Sequence, residues 1–341
     1  LQFYGASRTG RWAGRLVQVQ NLPQNHIEDL DFARSLVFRG DLDMLELCYG
    51  NVPDTLSQLI RTAFIAKPGH TFIVSDFSAI EARVIAWLAG EAWRLEVFRT
   101  HGKIYEASAS MMFHVPVESI TKTDPRRQKG KIAELALGYQ GGVGAMKTMG
   151  GEKMGLSEEE MKEIVTHWRS ANPAIVGLWD EVQAAAMQAI SGRDASIRKG
   201  VKFRTELGAL TIELPSGRKL FYPRARIESR EKFGRKSKTI IYEGQNQTTK
   251  KWEDLETYGG KLVENIVQGI ARDCLAVTMV RLEKMAYPIV FHVHDEVILE
   301  VPDDGTKTLA EVCEVFKKPI VWAEGLPLKG DGYVTNYYKK D

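Results

Sequence analysis

Sulfur, long apolar runs and repetition are what this sequence has least of. Only three cysteines occur in 341 residues, at Cys48, Cys274 and Cys313. Scattered and odd in number, they make no metal-binding spacing and fit a reducing compartment. No apolar run approaches the ~18–20 residues of a membrane span, so no membrane partner is expected. A signal peptide is lacking too. The chain begins at Leu1 and enters directly into Phe3-Tyr-Gly-Ala-Ser-Arg-Thr-Gly-Arg11 without an initiator, as expected of a fragment. Internal repeats and low-complexity tracts are absent. These absences leave a soluble globular chain, long enough to bury one large core or two ordinary ones.

Net charge is only +2, but it is unevenly placed. Residues 198–251 hold fifteen Lys and Arg against five Glu. Such an excess suits a phosphate backbone, although a solvated basic surface is the commoner meaning of a charge run.

The most informative stretch is residues 289–301, IVFHVHDEVILEV. Two β-branched, apolar runs flank His294-Asp295-Glu296, which predicts a hairpin with two acids at its tip. Carboxylates at a buried tight turn repel each other and lose hydration unless a cation or donor compensates them. A solvated turn is the alternative, and a second acid decides between the two. Asp76 closes the predicted strand Thr71-Phe-Ile-Val-Ser-Asp76, ahead of a helix carrying Ile80, Val84 and Leu88 at every fourth position. A carboxylate at a strand end, aimed at another on a neighbouring hairpin, is the geometry that holds two Mg²⁺ roughly 3.5–4 Å apart for phosphoryl transfer. Hard oxygen ligands suit that ion without sulfur or a histidine cluster.

In chain order, residues 1–30 predict an extended loop with Arg8, Arg11 and Arg15, and residues 31–60 ordinary helices. Gln18, Gln20 and Asn21 are able to read nucleic-acid edges, or merely to satisfy local turns. Ser78-Ala-Ile-Glu81 fits a capping box, so a structural and a functional reading of Glu81 compete. Two short helices are expected across residues 91–115, with Tyr105, Met111 and Phe113 as core. Thr123 and Pro125 mark a helix start. That helix runs to about Tyr139 and sets Arg127, Lys131 and Leu135 on one stripe. Two cations and an apolar group so arranged grip a triphosphate and cover a sugar, or else form a solvated basic face. Gly138, Gly141, Gly142 and Gly144 then break the pattern as a hinge. Scaffold helices are expected from Ser157 to Ala171 and from Pro173 to Ser191. Residues 201–243 alternate like strands, turning at Pro215-Ser-Gly217, with their cations facing a polyanion or water. A long helix from Lys261 to Ala286 puts Leu262, Ile266, Ile270 and Val277 inward, and Gln268 and Arg272 outward.

Assembled in this order, the motifs resemble the family A DNA polymerases, the bacterial polymerase I class, with the phage branch nearest. Val74-Ser-Asp76-Phe-Ser-Ala-Ile-Glu81-Ala-Arg83 is similar to DYSQIELR, and Arg127, Lys131 and Tyr139 fit RxxxKxxxFxxxY. His292-Val-His294-Asp295-Glu296 fits the third motif. Thr9-Gly-Arg11 with Gln20-Asn21-Leu-Pro23 fits TGR…LQNIP, and Gln268-Gly269 fits the QG pair before the third motif. The resemblance covers nearly the whole chain.

It implies an α+β right-hand fold, with an antiparallel palm sheet and an inserted helical fingers subdomain. The expected division is palm over 1–81, fingers over 82–200 and palm again over 201–341. It implies a DNA polymerase in phage or prophage replication, using primer-template DNA, dNTPs and replication accessory proteins in a bacterial host cytoplasm. By residue-wise transfer, Asp76 and Asp295 bind two Mg²⁺ with Glu296 in support, and Arg127 and Lys131 hold the dNTP phosphates. Lys131 also protonates pyrophosphate, Tyr139 packs near the templating base, and Tyr105 touches the phosphates. Glu81 blocks a 2′-hydroxyl. Arg11, Gln20, Asn21, Gln268 and His294 contact primer and template. Leu135 stands where an aromatic residue usually covers the sugar; Ala136, Gln140 and Ala79 also depart from the pattern, which bears on sugar selectivity rather than on the chemistry. No exonuclease motif is recognised, and the thumb that precedes the TGR element is expected to be missing. Two alternatives remain: a non-catalytic, DNA-binding prophage remnant, and a single-subunit RNA polymerase. Glu81 discriminates against the second.

Overall fold

The computed structural model describes residues 1–232 and 235–339. After an irregular start, the chain forms helices α1 (Leu30–Arg39), α2 (Leu42–Tyr49) and α3 (Val52–Leu59), then strand β1 (His70–Phe77). Seven helices follow: α4 (Ile80–Ala89), α5 (Ala92–Arg99), α6 (Ile104–Phe113), α7 (Pro125–Leu137), α8 (Val143–Thr148), α9 (Glu158–Ala171) and α10 (Pro173–Ile190). Next come β2 (Ala195–Ser196), β3 (Lys202–Glu206), β4 (Ala209–Glu213), β5 (Lys219–Pro223), β6 (Arg226–Lys232), β7 (Arg235–Gln245) and β8 (Trp252–Thr257). The long helix α11 (Gly259–Lys284) leads to β9 (Ile289–Val293), β10 (Glu296–Pro302), α12 (Leu309–Lys317) and β11 (Gly330–Thr335). This is an α+β architecture. No helix among the described residues is long and apolar enough to cross a membrane.

The sheet that matters for the site runs β11-β1-β10-β9, all antiparallel. Its inner strand β1 is Phe, Ile and Val between two neighbours, and it is buried along most of its length, as β-branched residues covered on both faces should be. Two further sheets, β2-β3-β4-β5 and β6-β7-β8, fill the region that the alternation predicted as strands. One continuous apolar core joins Ile73 and Phe77 of β1 to Val84 of α4, Leu137 of α7, Trp168 of α9, Trp179 of α10, Ile266 of α11 and Phe316 of α12.

Local sequence explains most boundaries. Ser157 caps α9 with a reciprocal box to Glu160, as predicted. Helix α7 is instead capped by Asp124, whose carboxylate accepts the Arg126 N–H at 2.8 Å; Thr123 lies one residue too early. The predicted Ser78–Glu81 capping box is absent. Ala79 occupies the cap in the left-handed region, with no side-chain cap bond. Met111, expected in the core, is 39% exposed. Two glycines permit close approaches beside the site: a Cβ on Gly332 would meet Val74 O at 2.2 Å, and one on Gly260 would meet Tyr139 O at 2.5 Å.

Several cations of the basic strands are paired rather than free. Lys202 pairs with Glu213, Lys219 with Glu206, Arg226 with Asp254 and Arg230 with Glu256. The local excess expected to meet a polyanion is therefore neutralised in part, within the sheets and by the acidic strand β8.

Helix α7 is held by a buried ion pair. Arg94 of α5 and Glu134 of α7 have side chains 1% and 4% exposed. Arg94 Nη1 donates to Glu134 Oε1 at 2.9 Å and to Asn172 Oδ1 at 3.0 Å, while Trp168 Nε1 donates to Glu134 Oε1 at 3.0 Å. Removing one member of such a pair leaves the other charge buried and uncompensated. Glu134→Ala is expected to lower unfolding free energy by about 3–5 kcal/mol in a urea titration; a loss below about 1 kcal/mol would show that α7 is anchored by its apolar face alone.

Candidate active site

Antiparallel pairing places the acids. In register, Asp76 of β1 stands opposite Glu296 of β10 on one side and opposite Asp331 of β11 on the other. The β9–β10 turn is tight, with His294 at φ 53°, so Asp295 lies directly beside this pairing. Asp76, Asp295, Glu296 and Asp331 together line a cavity of about 260 Å³. Glu296 is buried and accepts the Tyr338 O–H at 2.7 Å. Burial and the Glu296 charge push the Tyr338 phenol well above its ordinary range, so it stays a donor. Arg61, also buried, donates to Tyr338 Oη at 3.3 Å and to the carbonyls of Leu22 and Pro23. The acidic hairpin is thereby tied to the N-terminal loop.

This donor set is oxygen alone, which fits a hard divalent cation. Among the described residues, no group of three or more His, Cys, Asp or Glu is arranged to hold a metal by itself. A cation at Asp76 and Asp295 would therefore complete its shell with solvent or substrate oxygens, as Mg²⁺ commonly does.

A second cavity of about 380 Å³ is lined by Glu81, Tyr105, Glu134, Leu135, Tyr139 and Asp295, among others. Glu81 turns into it and accepts the Tyr139 O–H at 2.9 Å, with Arg11 at 3.5 Å. Burial holds the Glu81 carboxyl above its ordinary value, and the Tyr139 and Arg11 contacts act against that shift. Leu135 is half exposed over the cavity. Lys131 is exposed on the same helix, whereas Arg127 Nε donates to Glu106 Oε1 at 2.7 Å and its guanidinium lies 5.6 Å from the Tyr105 ring centroid. Asp295 borders a third cavity too, of about 310 Å³, with Arg11, Glu81, Arg272 and His294.

The structure thus brings together Asp76, Asp295 and Glu296, and beside them Glu81, Tyr105, Leu135, Tyr139, Arg11 and His294. It does not bring in Gln20, which lines a separate cavity with His292, or Asn21, which is exposed and donates to Gln18 at 2.6 Å. Gln268 is half-buried on α11 and borders none of the three cavities. Arg272, expected on the outer face with it, is 6% exposed. Helical periodicity called that face outward because nothing in α11 shows that Trp12 covers it. Tyr338, Arg61, Glu106 and Asp331 went unnoticed for the same reason, since each acquires its partner only across the fold.

A family model for DNA polymerase family A matches residues 6–203. The DNA polymerase of Bacillus phage SP02 is 61% identical over 342 residues, covering 100% of this chain and 52% of that protein. The thermostable DNA polymerase I of Thermus aquaticus is 28% identical over 291 residues, covering 83% of this chain and 29% of that protein. The chain therefore spans about half the phage relative's length and less of the other. Among solved structures, the POL domain of Pol1 from M. smegmatis, in complex with DNA primer-template and dNTP, superimposes with a TM-score of 0.62 at 19% identity, covering 96% of this chain and 46% of that one. At that identity the likeness concerns the fold.

His292 offers a test of this packing. Burial, reinforced by the Arg272 charge, lowers its imidazole to about 4. The folded state therefore prefers the neutral ring. Its contribution is complete above the ordinary value near 6.5 and is lost as pH falls toward 4. Stability should drop by about 2–3 kcal/mol over that window beyond what His292→Gln loses, as read from denaturation curves at several pH values. Parallel curves for the two proteins would mean that His292 titrates as an exposed histidine.

Proposed function

The chain belongs to DNA polymerase family A, and from that premise we propose that it extends a DNA primer along a template from dNTPs, in phage or prophage DNA replication. The observation that carries this reading is the meeting of three cavities at Asp295: one lined by acids, one by α7, one by α11 and the N-terminal loop. An in-line transfer needs three groups to converge, namely an attacking hydroxyl, a triphosphate and charge compensation between them.

In this reading the palm comprises 1–81 and 201–341, and the fingers 82–200. Asp76 and Asp295, with Glu296 held by Tyr338 in support, would hold two Mg²⁺, which supply activation of the primer 3′-hydroxyl and neutralisation of the leaving pyrophosphate. The dNTP occupies the α7 cavity. Arg127 exchanges Glu106 for its phosphates, Lys131 binds them and gives a proton to the pyrophosphate, and Tyr105 adds a contact. Leu135 covers the sugar and Tyr139 packs near the templating base. Glu81, fixed by Tyr139, fills the space of a 2′-hydroxyl; discrimination is then a clash and not an attraction. That carboxylate favours a DNA over an RNA product. Arg11, Gln20, Asn21, Gln268 and His294 are assigned to primer and template. A bacterial host cytoplasm and replication accessory proteins complete the setting.

Primer extension with a divalent-cation titration tests the assignment. Asp76→Ala and Asp295→Ala should each lose at least ~10³-fold in rate, about 4 kcal/mol of barrier, while binding primer-template almost as well as the parent. Extension near the parent rate in either variant would overturn it. A separate check concerns sugar choice. Glu81→Ala should incorporate ribonucleotides much more readily, and an unchanged dNTP preference would reduce Glu81 to a partner of Tyr139.

A further inference from the structure

Arg272 is the least satisfied cation in the described structure. It projects from α11 against the N-terminal loop, with its guanidinium carbon 3.9 Å from the Trp12 ring centroid and 4.5 Å from that of Phe3. Nη1 donates to Asp273 Oδ1 at 3.2 Å. That acceptor is already claimed: Arg218 Nε lies 2.7 Å from the same oxygen, and Ser216 donates to the other. Nε and Nη2 are buried and have no hydrogen-bond partner. Two ring contacts do not replace hydrogen bonds, and a buried unmet donor on a charged group is destabilising. A methionine would pack on Trp12 without that penalty.

The two unmet donors lie on one edge of the guanidinium, the fork that grips two oxygens of a single acceptor. Arg272 borders the 310 Å³ cavity shared with Arg11, His294 and Asp295. This cavity shares Ile80, Glu81 and Asp295 with the one beneath α7. Resting on the polymerase reading above, we propose that Arg272 binds a primer-strand phosphate, its Nε–Nη2 edge taking two non-bridging oxygens of one phosphodiester beside the reacting 3′ end. The ring contacts limit the side chain's freedom, and the fork, buried in the free protein, is uncovered when the phosphate takes it.

The test is a charge-removal scan. Primer-templates carry a neutral methylphosphonate at one linkage at a time near the 3′ end, and affinity is measured by fluorescence anisotropy for the parent chain, Arg272→Met and Arg272→Lys, with melting curves to establish folding. The parent should lose about tenfold at one linkage. Arg272→Met should bind the unmodified primer about tenfold more weakly, with a salt slope shallower by about 0.9. It should also be indifferent to methylphosphonate at that linkage. Arg272→Lys should recover part of the affinity, since it keeps the charge and loses the fork. An Arg272→Met variant that is weaker yet as sensitive as the parent would identify a packing role against Trp12 and overturn the proposal. Parent affinity unchanged at every linkage would overturn it without any variant, even if Arg272→Met failed to fold. A parent chain that binds and extends primers but ignores the modification refutes this inference alone, whereas one that binds no primer-template refutes the polymerase reading and this inference with it.

Discussion

Antiparallel pairing of β1 with β10 is the constraint on which the rest of this structure depends. It sets Asp76 opposite Glu296 although the two lie far apart in the chain. Strand side chains alternate between faces, so a slip of one residue would send the whole acidic set to the other side. The register is pinned from both directions. Val74, Phe72 and Ile298 bury on one side with Val293 and Tyr338, and Ile73, Val297 and Leu299 bury on the other in the main core. Polar placement at the site is thus a consequence of apolar packing around it.

Charge follows a similar logic. A formal net charge near zero conceals two populations. Several cations of the strand region are matched to acids of the same sheet, and such exposed pairs contribute little to stability individually. Arg127 has a partner in Glu106; in the proposed reading a phosphate displaces it, because a phosphate offers more charge and more acceptors than one carboxylate edge. Arg272 shares Asp273 with Arg218 and keeps two donors unmet. In the proposed reading the cations that would meet a polyanion are those near Asp295, where two donors of Arg272 stay unmet. They are not the most numerous ones.

The helical side is built to carry a precise wall. Arg94 and Glu134 bind α5, α7 and α9 into one unit through buried charge, and the stacked Trp168 and Trp179 rings lie 6.3 Å apart beside them. Buried pairs of this kind are seldom the most stabilising choice, but they penalise misalignment heavily. Helix α7 presents Lys131 and Leu135 outward from that anchor, and Gly260 lets α11 approach the Tyr139 backbone closely.

Strand alternation, helix caps and motif order made the α+β class, the acidic hairpin, Ser157 as a cap and the stripe on α7 legible before any coordinates. These features depend on neighbours within a few residues, or on chemistry that few residue types perform. The family was legible for the same reason, in the order of short motifs. What local pattern misjudged was every case in which a distant segment supplies the environment. Glu81 sits where a capping glutamate belongs, yet it bonds Tyr139 because the α4 start adopts a left-handed residue instead of a Ser cap. Arg272 sits on the polar face of an amphipathic helix, yet Trp12 and Phe3 cover it. The strand cations were visible, but the acids that pair with several of them lie on other strands of the same sheet. The sequence by itself determined which elements form and which groups are capable of the chemistry, since propensity and side-chain type are properties of the chain. Only tertiary structure decided which of those groups are desolvated, paired or left unmet, because burial and partner distance are created when segments remote in sequence pack together.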